Sequence, residues 1–331
     1  MSNSNSRWIG LACSIFSGIA FGAQFPVAAH TLKSVSPMYF VGIRYLLAAL
    51  VFVPLLALTE GKDAFRLEGK GWLVWLYGTL AFTGYNGLVF AGQRLAGPSG
   101  PILSSVMMGF MPLITALILL IWKGIRLSPL TLLFIVIGLT GVFLVATKGD
   151  VKTIAPGGAA LWAVLLMLAS VVCWAIYTIG ASMFPSWSPL RYTALTCMLG
   201  TVSNIALTAA GTPMGWFVMP AWHDLTANIW HFLYMALIAG VAAVLSWNIA
   251  CKKMSPVDAS LVLNNIVPVV SALITALIGY SIGMPELYGI ALTLIAMIAN
   301  NVAGRYGKKS VTAADGKSGL AKQAGGIGKN T

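Results

Sequence analysis

The sequence predicts an all-α polytopic membrane protein whose ten transmembrane helices form two inverted five-helix repeats. Three observations predict it. Of 331 residues, 58% are hydrophobic and 8% charged, with a mean hydropathy of +0.87, where soluble domains carry roughly a quarter charged residues. Ten stretches of about 20 mostly apolar residues follow one another, the length a helix needs to cross a bilayer. The heptapeptide "PLITALI" (Pro112 to Ile118) returns 156 places later as "PVVSALI" (Pro268 to Ile274). Alternating ten-residue strands are absent, which excludes an outer-membrane barrel.

The opening "MSNSNSRWIG" is short and polar, and the stretch after it, Trp8 to Leu32, is too long for a signal-peptide core, so it predicts a retained first helix. Its "GIAFG" (Gly18 to Gly22) has the small-xxx-small spacing that lets helices pack closely. Helices 2 to 5 are predicted over Pro37 to Leu58, Gly71 to Leu95, Pro98 to Trp122 and Pro129 to Thr147. Helices 6 to 10 follow over Gly158 to Phe184, Pro189 to Ala210, Ala227 to Lys252, Pro256 to Tyr280 and Pro285 to Arg305. Gly/Pro-rich or charged breaks separate them. The halves are 1–150 and 151–305, joined by "KGDVKTIAPGG", and 306–331 reads as a disordered basic cytoplasmic tail.

Five helices per half turn the second copy upside down, an arrangement that secondary transporters use to build two gates around a midplane site. Pro112 lies 14 residues past Pro98 and Pro268 lies 12 past Pro256, which at 1.5 Å per residue places both near the middle of the bilayer. Each removes a backbone donor and presses on the carbonyl four residues earlier, that of Met108 or Asn264. Both prolines are therefore candidate hinges.

Lysine and arginine placement predicts orientation, because cytoplasmic loops hold an excess of them. With the first residue inside, the inner loops hold Arg7, Lys62, Arg66, Lys70, Lys123, Arg126, Lys252 and Lys253, against Lys33, Arg94, Lys148 and Lys152 outside. Both termini are thus expected to be cytoplasmic, in a bacterial inner membrane. The net charge of +12 reflects topology and anionic headgroups rather than nucleic acid. Cys13, Cys173, Cys197 and Cys251 stand singly in separate spans without metal-ligand spacing, so no disulfide, metal or other cofactor is expected. Neither phosphate-loop nor HExxH spacing occurs, which argues against ATP use and against a zinc-hydrolase type of enzyme.

The order of these features resembles a known family. The first helix "GIAFGAQFPVAAHTL", the opening "SPMYFVGIRYLLAAL" of helix 2 echoed by "SPLRYTALTCMLG" in helix 7, and a proline-centred fourth helix in each half resemble the drug/metabolite transporter superfamily with its duplicated EamA domains. Within it the chain looks most like YddG-type exporters of aromatic and other amino acids. The loop "WKGIRLSP" departs from the family pattern by lacking an acid before helix 5, where the second half has Glu286. The resemblance implies alternating access, with helices 1, 3, 4, 6, 8 and 9 lining the cavity and helices 5 and 10 peripheral. It also allows a monomer.

Charge within the spans is scarce. Arg44 is read as held by a structural partner such as helix-end carbonyls, and Arg191 as reaching to the interface. The eight acids and three histidines fall in loops, at helix ends or in the tail, so no titratable group stands at depth for obligatory proton coupling. What remains is neutral polarity beside aromatic surface: Gln24, Tyr85, Asn86, Ser104, Met108, Trp174, Tyr177, Asn264 and Asn265 are the candidate substrate-binding residues. Amide and hydroxyl groups suit the charged end of a zwitterion, and aromatic and methionine surface suits its body. Amino acids are the expected cargo; nucleotide sugars, cationic drugs and proton-coupled exchange stay open. Trp8, Trp72, Trp75, Trp122, Trp187 and Trp230 are expected to anchor at the headgroups.

Overall fold

A computed structural model describes residues 2–124, 128–150, 158–254, 256–300 and 302. Among them every regular element is helical, and each of the ten predicted stretches is mostly helix, the fourth as two helices. They are α1 Ser2–Thr31, α2 Pro37–Glu60, α3 over 71–95, α4a Gly100–Gly109 with α4b Met111–Lys123, α5 Pro129–Thr147 and α6 Ala159–Gly180. Then come α7 Pro189–Gly211, a short helix Trp222–Ala227, α8 Ile229–Lys253, α9 Pro256–Leu277 and α10 Met284–Asn300. Seven of them are long and apolar enough to cross a membrane, and the bent pair α4a/α4b makes an eighth if it is one span; α10 is shorter. The middle of the predicted linker and the tail lie outside the described residues.

Local chemistry fixes where these helices start. Ser36, Ser128 and Ser188 are N-caps in extended conformation, each followed by a proline at the head of its helix. The serine oxygen accepts an orphan N–H, from Thr131 at 3.1 Å and from Arg191 at 2.9 Å, and proline there sacrifices a donor that had no partner anyway.

The helices pair in a pattern that survives exchange of the halves. α1 lies on α9 and α6 lies on α4; α3 lies on α6 and α8 on α1; α2 meets α7 and α4a meets α9. Gly18 and Gly22 let α1 approach α9, since a Cβ on either would press on Ile266 or Val270. At the α3/α7 crossing, a Cβ on Gly78 would fall on the Thr196 carbonyl oxygen and one on Gly200 on that of Gly78. Only two glycines permit that crossing. α5 and α10 cover the outside: Leu130, Leu133 and Val136 on one and Tyr288, Ile295 and Ile298 on the other are exposed, a greasy surface suited to lipid.

The two prolines do not behave alike. α4 breaks at Phe110 with a bend of 45°. Leu113 N–H, which an unbroken helix would send to Gly109, goes to the Phe110 carbonyl at 3.1 Å instead. Pro112 sits at the head of the new helix α4b. Pro268, by contrast, lies inside an unbroken α9. The repeated proline thus stands at a break in one half and inside a continuous helix in the other. In α4 the Gly109–Phe110 pair next to proline supplies the freedom to break, whereas Pro268 is flanked by Val267 and Val269, whose branched side chains are stiff.

Candidate functional site

Helices α3 and α8 each contain a π-helical segment, Thr79–Tyr85 and Tyr234–Ala242. The two lie at nearly the same 156-place offset as the proline heptapeptides. A π turn widens the helix and frequently marks a functional position. Between them runs Arg44 of α2, 1% exposed. Its Nε donates to the Met235 carbonyl at 2.9 Å and its NH1 to Asn86 Oδ1 at 3.2 Å, while Asn86 Nδ2 donates back to the Ala81 carbonyl at 2.8 Å. One guanidinium therefore ties both π segments together. The expected carbonyl partner of Arg44 is present, on a π turn rather than a helix end.

Around this tie stands an aromatic wall. Trp174 of α6 packs against Tyr85 (centroids 4.9 Å apart) and Tyr177 (5.3 Å), and Tyr177 stacks on Tyr192 at 5.1 Å. The Arg44 guanidinium lies 4.7 Å from the Tyr45 ring centre, a cation–π distance. Tyr85 Oη is buried without a hydrogen-bond partner. Of the predicted residues, the structure thus brings Tyr85, Asn86, Trp174 and Tyr177 into one cluster.

Ser104, Met108 and Asn264 are buried on α4a and α9, which cross. Gly109 of the break faces Pro268 and the Asn264 backbone, Ser104 Oγ points to Met167 sulfur at 3.9 Å, and Asn264 Oδ1 is buried and unpartnered. Asn265 Nδ2 turns back to the Leu261 carbonyl at 2.7 Å, a local contact. Gln24 is buried on α1, about 200° round from Gly22 and so away from the face that meets α9. The structure leaves Gln24 and Asn265 outside the aromatic cluster.

Each end of the bundle holds a cavity: one of about 460 Å³ lies where α1 begins, among Arg7, Trp8, Leu11, Met254 and Leu261, and another lies at the opposite end. Where α1, α3 and α9 finish and α4a begins, Lys33, Gln93, Arg94, Pro98, Thr275 and Tyr280 are among the residues around a cavity of about 500 Å³. Gln93 Oε1 and Thr275 Oγ1, both buried there, have no partner. Call this the distal end; α1 begins at the proximal one. At the proximal end the 61–70 loop is fastened to the 181–188 loop and the head of α7. Arg191 pairs with Glu68 at 2.8 Å and donates to the Arg66 carbonyl at 2.6 Å, Trp187 Nε1 donates to Glu68 at 2.9 Å, Ser188 donates to Glu60, and Lys70 donates to the Met183 carbonyl at 3.0 Å. Hydrogen bonds from Trp187 and Arg191 hold the Glu68 carboxyl below its usual range.

These contacts correct two expectations. Arg191 is ion-paired rather than reaching for headgroups, and Trp187 is buried with its indole N–H on Glu68 rather than anchoring. Trp8, Trp72 and Trp230 are exposed at helix ends, as an interfacial role requires; the side chain of Trp122 lies outside the described residues. Glu286 is 1% exposed, accepting from Tyr280 Oη at 2.7 Å and Gly283 N–H at 2.8 Å, which makes it a cap of α10. Sequence reasoning missed the π segments. Their one signal was Gly84 and Gly240, which align at the 156-place offset.

The EamA-like transporter family matches residues 8–147 and again residues 161–302. The chain is 37% identical over 298 residues to the Uncharacterized transporter YrdR of Bacillus subtilis (strain 168), covering 90% of this chain and 92% of the relative. It is 29% identical over 297 residues to the Uncharacterized transporter YyaM of the same organism, covering 87% and 90%. A solved crystal structure superposes with a TM-score of 0.60 at 19% identity, covering 92% of this chain and 98% of its own, a likeness of fold alone. Apolar helices in series, a family match to each half and relatives aligned nearly end to end lead to one conclusion: the chain belongs to the EamA-like transporter family and is a multi-pass membrane transporter of a small molecule.

Proposed function

We propose that the protein exports amino acids, aromatic and other neutral ones first, by alternating access between two inverted five-helix halves, α3 and α10 being spans as well. The observation that carries this reading is the cluster of Tyr85, Asn86, Trp174 and Tyr177 against Arg44, buried deep in the bundle. Aromatic faces hold an apolar side chain and amide dipoles hold a polar end. A cationic drug, by contrast, meets the repulsion of Arg44. The pairing of helices that survives exchange of the halves supports inversion, and the bonds that fasten the 61–70 loop to the head of α7 are ones that a change of access would have to break. The reading places the protein in a bacterial inner membrane with both termini cytoplasmic, working as a monomer without obligatory ion coupling.

Liposomes holding the purified protein and loaded with unlabelled amino acids, one at a time, test it. Exchange with external labelled tryptophan, threonine or methionine is expected without any pH gradient. No exchange with any of the three refutes the amino-acid reading, and uphill uptake driven by a pH gradient alone refutes the uncoupled one. Cysteines placed at Ser4 and Ser318 should both resist an impermeant thiol reagent applied from outside cells; labelling of only one removes the inverted arrangement.

A further inference from the structure

Arg44 carries a full charge at 1% exposure, and the two partners that the structure gives it are neutral. The ion pairs Arg66–Asp63 and Arg191–Glu68 do not include it. Buried charges are ordinarily paired, and a guanidinium has five N–H donors. The Met235 carbonyl and Asn86 Oδ1 use two of them. Beside it stands a second unspent donor, the buried Tyr85 hydroxyl, on which the Arg44 charge acts.

We propose that Arg44, with Tyr85 and Asn86, forms the site that receives a carboxylate of the cargo. The inference rests on the transport reading and deepens it by naming the group that is held. The site lies close to the distal mouth along α3. Gln93 at the distal mouth lies seven residues past Asn86 on α3, which is two turns on the same face and about 10 Å away. Lys33 and Arg94 at that mouth favour the entry of an anion. The incoming oxygens complete the guanidinium fork and the Tyr85 hydroxyl. Because Arg44 bonds the π segment of α8 directly and that of α3 through Asn86, the anion docks on a side chain that links the two.

Three probes test this on the full-length protein in lipid nanodiscs: L-tryptophan, 3-phenylpropionate, which has the carboxylate without the amine, and tryptophanamide, which has the amine without the carboxylate. Wild type is expected to bind both carboxylates at least about 30-fold more tightly than the amide, since a site built for a charged partner rejects an analogue lacking it. Arg44→Gln should erase that ratio to within about threefold. Arg44→Lys, which keeps the charge but loses the fork, should keep part of it. If neither Arg44 variant folds, the wild-type ratio decides, with a weaker carboxylate affinity in Tyr85→Phe as the second arm. A folded Arg44→Gln protein that still prefers carboxylates, or a wild type indifferent to them, overturns the assignment. Binding of phenylpropionate but not tryptophan overturns the amino-acid reading and leaves the carboxylate site standing; binding of tryptophan and its amide alike does the reverse. A protein that holds none of the three overturns both.

Discussion

Tyr85 combines a well-packed ring with an unsatisfied hydroxyl. The ring lies on Trp174, and the oxygen, buried, has no partner. An unpaired buried hydroxyl costs about 1–3 kcal/mol, so its retention suits a group waiting for a ligand. Tyr85→Phe is therefore expected to raise the unfolding temperature of the empty protein or leave it unchanged, while weakening cargo binding. Thermal unfolding with and without cargo measures both, and a loss of stability in the empty variant contradicts the interpretation. The aromatic residues could be found from sequence because spans hold few polar or amphipathic side chains, and those few stand out. Arg44 could be found too, but its role could not. That role depends on Asn86 and Met235, 42 and 191 residues away, and on carbonyls exposed by π turns.

At the scale of the elements, apolar length and proline-headed starts made the helices readable, and the serine caps confirm their beginnings. The interruptions inside them were less so. A proline announces a possible kink, but whether the helix breaks depends on its neighbours: Gly109 and Phe110 let α4 part, and Val267 and Val269 keep α9 whole. Two experiments separate the prolines. Pro112→Ala should restore a helical donor at the break and slow exchange about tenfold. Pro268→Ala, in a helix already continuous, should stay within about threefold, each tenfold step being about 1.4 kcal/mol of barrier. Equal effects on the liposome exchange rate would show that both helices bend during transport.

For the molecule as a whole, the proximal latch fastens the 61–70 loop to the head of α7. The Glu68 carboxyl is held below its ordinary range by hydrogen bonds from Trp187 and Arg191. A group whose folded pKa is depressed adds stability above its unfolded pKa and loses it as pH falls through the folded value. The latch is thus fully made at neutral pH and comes undone below the usual carboxylate range of about 4.3. Glu68→Gln should mimic the acid state at pH 7, lowering the unfolding temperature there and flattening its dependence on pH between about 3 and 6. An unchanged pH profile would remove Glu68 from the latch. The salt bridge at the centre of this latch was not readable from the sequence, since Glu68 and Arg191 meet across a separation of more than a hundred residues.

The single guanidinium that joins the π segments has no twin. Counting seven past the proline that opens α2 gives Arg44; the same count from the head of α7 gives Thr196. A duplicated scaffold thus carries an unduplicated cation, and its two halves differ chemically even where their helices pair alike. On the proposed alternating-access reading, an empty carrier built this way has a preferred resting posture, and cargo works against that bias from one side of the membrane and with it from the other.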